Sequence, residues 1–192
     1  MKKISVILLS LVMGMMLTLN AQAPYKHSIG ATLGNMEAFS YKTFLTDNLA
    51  FSLDAGFKWT TSPATCTYWY KLEHENWHSH VSPMDIEVNP NFLYEAAIGS
   101  KGLHWLVGGG FSLGYSWFVY NYGYGYDYYY GRRTTSYGKL GINAIGGVEY
   151  KFSIPLTLQA DFRPGYGLLF REHLAVSYFD WAVCVGVRYT FK

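Results

Sequence analysis

From residue 27 onward the chain is made of stretches in which every second residue is large and apolar. The last stretch is the clearest. Between Ser177 and Lys192, the residues Phe179, Trp181, Val183, Val185, Val187, Tyr189 and Phe191 alternate with Asp180, Ala182, Cys184, Gly186, Arg188 and Thr190. A period of two marks a β-strand whose two faces meet different surroundings. The same pattern predicts seven earlier strands, at residues 27–34, 39–45, 49–60, 86–99, 103–118, 139–152 and 156–170. Short turns at 46–48, 100–102 and 153–155 alternate with long connections at 61–85 and 120–138. An even strand number, with short turns on one side and longer loops on the other, predicts an all-β, eight-stranded antiparallel up-and-down barrel.

Alternation does not say which face is inside; volume does. One face carries several bulky residues per strand, Trp59, Trp105, Trp117 and Trp181 among them. An eight-stranded barrel has an interior just wide enough for side chains to fill, and that set does not fit. The opposite face is rich in glycine and of mixed charge: Asp54, Lys58, Glu87, Glu95, Lys139, Glu149, Asp161, Arg163 and Arg188. Placed on lipid at the bilayer midplane, an Arg or Lys costs about 2–4 kcal/mol. The expected arrangement is therefore a transmembrane barrel, apolar outside, with ion pairs plugging the lumen. An exported soluble barrel of the lipocalin kind would be its inverse. Pro90 and Pro164 fall on the apolar face, where a proline in a strand predicts a bulge.

The N-terminus changes the picture by supplying an address. Lys2 and Lys3 precede an apolar run from Ile4 to Leu19, and small residues around Ala21 offer a cleavage site. Pro24 disfavours the later site after Ala23, so cleavage is expected after Ala21. This predicts a signal peptide at 1–21, a barrel domain at 22–192 and location in the bacterial outer membrane. The formal charge is +2 and includes those two lysines, so the mature chain is expected to be near neutral. No basic stripe favours nucleic acid. The two cysteines, Cys66 and Cys184, make no disulfide framework, and a bond between them is not expected.

Several segments resemble the small outer-membrane β-barrel proteins of the Bacteroidetes type. They are Tyr41-Lys42-Thr43-Phe44-Leu45-Thr46-Asp47-Asn48-Leu49-Ala50, Asn89-Pro90-Asn91-Phe92-Leu93-Tyr94, the stretch 142–149, the stretch 161–167, and Phe179-Asp180-Trp181 with residues 185–189. The resemblance covers most of the mature chain and rests on barrel motifs rather than catalytic ones. It implies an outer-membrane barrel and no agreed activity. The chain departs from it at Lys192, which follows the terminal aromatic. A barrel of this kind implies outer-membrane lipid as its surroundings and the barrel assembly machinery during biogenesis. No cofactor is expected.

Three places carry candidate chemistry. His74-Glu75-Asn76-Trp77-His78 matches H-E-x-x-H, with His80 close behind. On a helix, His74 and His78 would share one face and Glu75 would polarise a zinc-bound water. The motif lies in the 61–85 loop, without a cleft-forming second domain, so loop-borne metal binding by His74, His78 and His80 is an alternative to a plain solvated loop. The second place is Tyr120 to Arg133, where Tyr122, Tyr124, Tyr126, Tyr128, Tyr129 and Tyr130 are interleaved with glycine and followed by Arg132 and Arg133. Such a stretch suits adaptable contact with a glycan or surface partner. It equally suits an extension of the strand and its interfacial belt above the membrane. The third is His173, Ser177 and Asp180 around the last loop, a loose set for a lipid-modifying rim enzyme. The main expectation is a structural or surface-interaction role without catalysis. A narrow small-solute conduit is the remaining alternative, disfavoured by the charged lumen.

Overall fold

The computed structural model describes residues 23–59, 81–99, 102–124, 129–171 and 174–192. Eight strands follow one another around a closed ring: β1 (His27–Gly34), β2 (Met36–Phe44), β3 (Leu49–Trp59), β4 (Val81–Ala97), β5 (Leu103–Tyr124), β6 (Tyr129–Lys151), β7 (Leu156–Arg171) and β8 (Leu174–Phe191). Every adjacent pair is antiparallel. The ring closes where β1 pairs with β8, from His27↔Phe191 to Gly34↔Cys184. Three turns, 45–48, 98–102 and 152–155, gather at the end that also holds the start of β1 and the end of β8; we call it the turn end. The opposite end, the loop end, holds the other four connections. One of these is a single residue, Asn35. Gly34 makes that reversal possible with a φ of +134°, a conformation that side-chain-bearing residues rarely adopt.

Burial alternates as the sequence pattern demands. On β8, Phe179, Val183, Val185, Val187, Tyr189 and Phe191 are exposed, while Tyr178, Asp180, Ala182, Cys184, Arg188 and Thr190 are buried. The same holds around the ring: Phe39, Phe57, Phe92, Phe111, Ile142 and Phe162 face out, and Ser40, Asp54, Asn91, Ser112, Glu149 and Asp161 face in. Aromatics meet near both ends of the outer face. Tyr94 and Trp105 stand 5.5 Å apart and Tyr150 and Phe152 4.8 Å apart towards the turn end; Tyr115 and Trp117, 5.7 Å apart, lie towards the loop end.

The strands run further than the pattern predicts. β2 starts at Met36 and β4 at Val81, within segments read as connections. β5 reaches Tyr124 and β6 starts at Tyr129, so the 120–138 stretch is mostly paired strand. β8 begins at Leu174. The reason is physical. Beyond the apolar belt the sequence no longer alternates, so the pattern stops while backbone pairing continues.

Neither proline makes a bulge. The β4–β5 ladder skips Asn89 and Pro90 and resumes at Asn91↔Gly110 in the register it had at Val88↔Leu113. The β6–β7 ladder likewise skips Arg163 and Pro164 without a shift. Each proline remains paired on its other side, Pro90 with Leu53 and Pro164 with Trp181. A proline lacks one donor, and that loss is confined to one neighbour.

Inside, the phenol ring of Tyr178 fills space that two glycines leave open. A Cβ at Gly167 would lie 2.8 Å from its Cε1, and one at Gly141 would collide with its hydroxyl. Gly141→Val and Gly167→Val are each expected to lose about 1–3 kcal/mol of stability by overpacking. Urea unfolding in lipid vesicles checks this, and Tyr178→Ala should relieve much of the Gly141→Val penalty.

Candidate functional site

The buried interior is a stack of three charged layers. Its chemistry follows from which strands bring inward positions to the same height. Nearest the turn end, Lys42 of β2 is fully buried between Glu95 of β4 and Glu149 of β6. Its Nζ donates to Glu149 Oε2 at 2.8 Å and pairs with Glu95 Oε1. Arg188 of β8 donates from Nε to Ser40 Oγ (2.9 Å) and from Nη1 to Gln159 Oε1 (2.8 Å).

Tyr25, which precedes β1, caps this layer. Its hydroxyl donates to Glu149 Oε1 at 2.8 Å, and its ring meets Phe44 edge-on at 5.1 Å. Burial pushes the Tyr25 hydroxyl pKa up, which keeps it a donor. Tyr25 and Phe44 pack with Ala50, Leu93, Leu106 and Ile145 into an apolar cluster inside the barrel.

In the middle layer Arg163 of β7 bridges two strands. Nη1 donates to Asp54 Oδ2 at 2.7 Å, and Nε and Nη2 grip the two oxygens of Asp161 at 2.5 and 3.2 Å. At the loop end Lys139 of β6 sits among three carboxylates: Asp85 Oδ2 at 2.6 Å, Asp180 Oδ2 at 2.8 Å, and Glu87. Lys58 adds a second cation to Asp180 at 2.7 Å. The Lys139 ammonium also lies 4.7 Å from the centre of the Tyr178 ring.

Asp85, Glu87 and Asp180 hold ligand atoms within 4.8 Å of one another, the spacing of a cation site. The Lys139 ammonium already occupies that place as a tethered cation. Among the described residues, five buried cations face seven buried carboxylates across the three layers, so the interior carries more negative than positive groups.

All nine charges expected on the lumen face from sequence, Asp54, Lys58, Glu87, Glu95, Lys139, Glu149, Asp161, Arg163 and Arg188, are buried inside. Lys42, Asp85, Tyr178 and Tyr25 join them without having been singled out. Lys42 was legible, because it shares the inward phase of Ser40 on β2; Asp85 was hidden by its assignment to a loop. Leu93, Leu106 and Ile145 are large apolar residues on the inward face, contrary to a lumen lined only by small and charged groups. Their neighbours Phe92, Tyr94, Val107 and Ala144 mask them, since a run of apolar residues has no readable phase.

The rim constellation does not assemble. Ser177 is exposed and Asp180 is buried against two lysines, on opposite faces of β8. His173 lies outside the described residues, as do Tyr126, Tyr128, Cys66 and the whole H-E-x-x-H stretch with His74, His78 and His80. Among the described residues the Cys184 thiol has no disulfide partner, and it is buried.

The sequence matches no family model, and no curated protein matches it. Solved structures do match in shape. A major outer membrane protein from Thermus thermophilus aligns over 86% of this chain and 98% of its own, at 14% identity and a TM-score of 0.53. Neisserial surface protein A aligns over 86% and 93%, at 13% identity and a TM-score of 0.48. The N-terminal β-barrel domain of Pseudomonas aeruginosa OprF aligns over 88% and 98%, at 18% identity and a TM-score of 0.42. The likeness to the Thermus protein bears out the eight-stranded antiparallel barrel, a fold this chain shares with an outer-membrane protein.

Replacing Lys139 by Met leaves three buried carboxylates without their central cation. Removing one partner of a buried pair costs about 3–5 kcal/mol. Urea unfolding in vesicles should show a loss of that size, partly recovered when Asp85→Asn and Glu87→Gln are added.

Proposed function

We propose that the chain is an exported protein of the outer membrane, a barrel closed to solute flow. Its role is structural and surface-interacting, without catalysis, and is exercised at the loop end. One observation carries the reading. A ring with no open edge exposes an apolar wall and keeps its charges inside except near the ends of strands, as at Glu37 and Arg171. In water that wall would be a large exposed patch; in a bilayer it is the required surface, because a closed barrel satisfies every strand internally. From Phe179 to Phe191 the wall on β8 spans about 30 Å after strand tilt, matching a hydrocarbon core.

The filled interior supports closure. Side chains from six of the eight strands, β2, β3, β4, β6, β7 and β8, meet in the three layers, and the Tyr25 cluster covers the turn end. A signal peptide over residues 1–21, recognition by the barrel assembly machinery and kinship with the Bacteroidetes-type barrels belong to the same proposal, supported by the sequence segments quoted above. The turn end would then face the periplasm and the loop end the outside. The tyrosine-rich hairpin from Tyr122 to Tyr130 is the part of the loop end best suited to a glycan or surface partner.

Heat-modifiability tests the barrel: in the outer-membrane fraction the unboiled band should run apart from the boiled one on a denaturing gel. A soluble periplasmic protein without a shift would overturn the reading. Val185→Arg, on the outer wall near mid-height, is expected to cost about 2–4 kcal/mol in vesicles. Deleting residues 122–130 is expected to abolish surface adhesion while leaving the gel shift intact.

A further inference from the structure

The β5–β6 hairpin outgrows the barrel. β6 begins at Tyr129 and pairs with β5 from there on, starting with Tyr124↔Tyr129. Its pairing with β7 starts only at Gly138↔Phe170. Residues 129–136 therefore have one neighbouring strand and, among the described residues, one open edge. At about 3.4 Å per residue this overhang is roughly 25 Å long. Along it every second residue turns its N–H and C=O away from β5. The segment holds no proline and three β-compatible hydroxyl residues, Thr134, Thr135 and Ser136. An edge of this kind is a template for another strand.

Charge says which strand. Between Phe118 and Gly138 the charged residues are Asp127, Arg132 and Arg133, and of these the two arginines fall within the overhang. The antiparallel register that would pair the whole overhang with a second copy of itself sets Arg132 of one copy opposite Arg133 of the other. Like charges directly opposite are destabilising. The pair thus disfavours self-association and favours a strand with acidic residues at two successive positions, one beside each arginine.

We propose that residues 129–136 bind an extended acidic segment of a partner protein by strand addition, with Arg132 and Arg133 selecting its charge. The proposal deepens the surface-interaction reading and rests on it. The overhang places the pairing edge beyond the last barrel ladder, clear of the membrane wall.

The test uses the full chain refolded in detergent micelles and a ten-residue peptide of alternating threonine and valine with Glu-Glu at its centre. Three controls accompany it: the Lys-Lys peptide, the Glu-Glu peptide with every backbone nitrogen methylated, and the variant carrying Arg132→Glu with Arg133→Glu. Titration calorimetry should show the Glu-Glu peptide binding at least about tenfold more tightly than the Lys-Lys peptide, with the order reversed in the variant. The methylated peptide should not bind, and isotope-edited infrared spectra should show the bound peptide as paired strand. Equal binding of the methylated peptide would overturn strand addition in favour of plain charge attraction. Absence of binding by every peptide, with the 122–130 deletion still abolishing adhesion, would overturn this proposal and leave the surface-interaction reading standing. A deletion without effect on adhesion would remove the reading itself.

Discussion

The seam between β1 and β8 is the constraint on which the rest depends. Eight residues of β1 pair with eight of β8, and with that ladder the sheet has no edge inside the barrel wall. A sheet open there would present a row of unpaired backbone groups to hydrocarbon, each costing several kcal/mol. Once the ring is closed at eight strands, its radius is set, and so is the small volume within. That volume decides which side chains go inside. Most large apolar side chains face outward; serine, glycine, asparagine and the charged groups share the interior with a few rings, Tyr25, Phe44 and Tyr178 among them.

Charges so enclosed must meet partners, because isolated ones are costly to bury. The three layers are the result. Each is drawn from strands far apart in sequence: Lys42 reaches Glu149, Arg163 reaches Asp54, and Lys139 reaches Asp85 and Asp180. These contacts form only when all the strands are in register, so the interior also specifies the register. A slip by one residue would turn Lys139 and Arg163 onto the apolar outer wall and bring Ile142 and Phe162 inward. Tyr178 over Gly141 and Gly167 adds a steric lock to the same registration.

Much of this was legible in the sequence where the outer wall is uniformly apolar. β3, β7 and β8 cross the belt from one side to the other, and their alternation was clean enough to give strand, face and most of the lumen charges. Legibility failed where that uniformity lapses. Past the belt, the tyrosine and glycine stretch reads as a loop although its backbone is paired. At Leu93, Leu106 and Ile145 the interior itself is apolar, because Tyr25 and Phe44 need something to pack against. The prolines misled for a different reason: a strand missing one donor still pairs fully with its other neighbour. Asp85 was hidden because residues 61–85 read as a connection.

The single-residue reversal at Asn35 and the long β5–β6 hairpin stand on opposite parts of the same rim. Their difference in height gives the molecule a front and a back. On the β1–β2 side the rim is no taller than its last barrel ladder; on the β5–β6 side it carries a palisade of roughly 25 Å. Two neighbours embedded beside this protein would find different shielding according to the direction from which they came. Rotation about the membrane normal, irrelevant to a symmetric cylinder, is therefore part of how this protein presents itself.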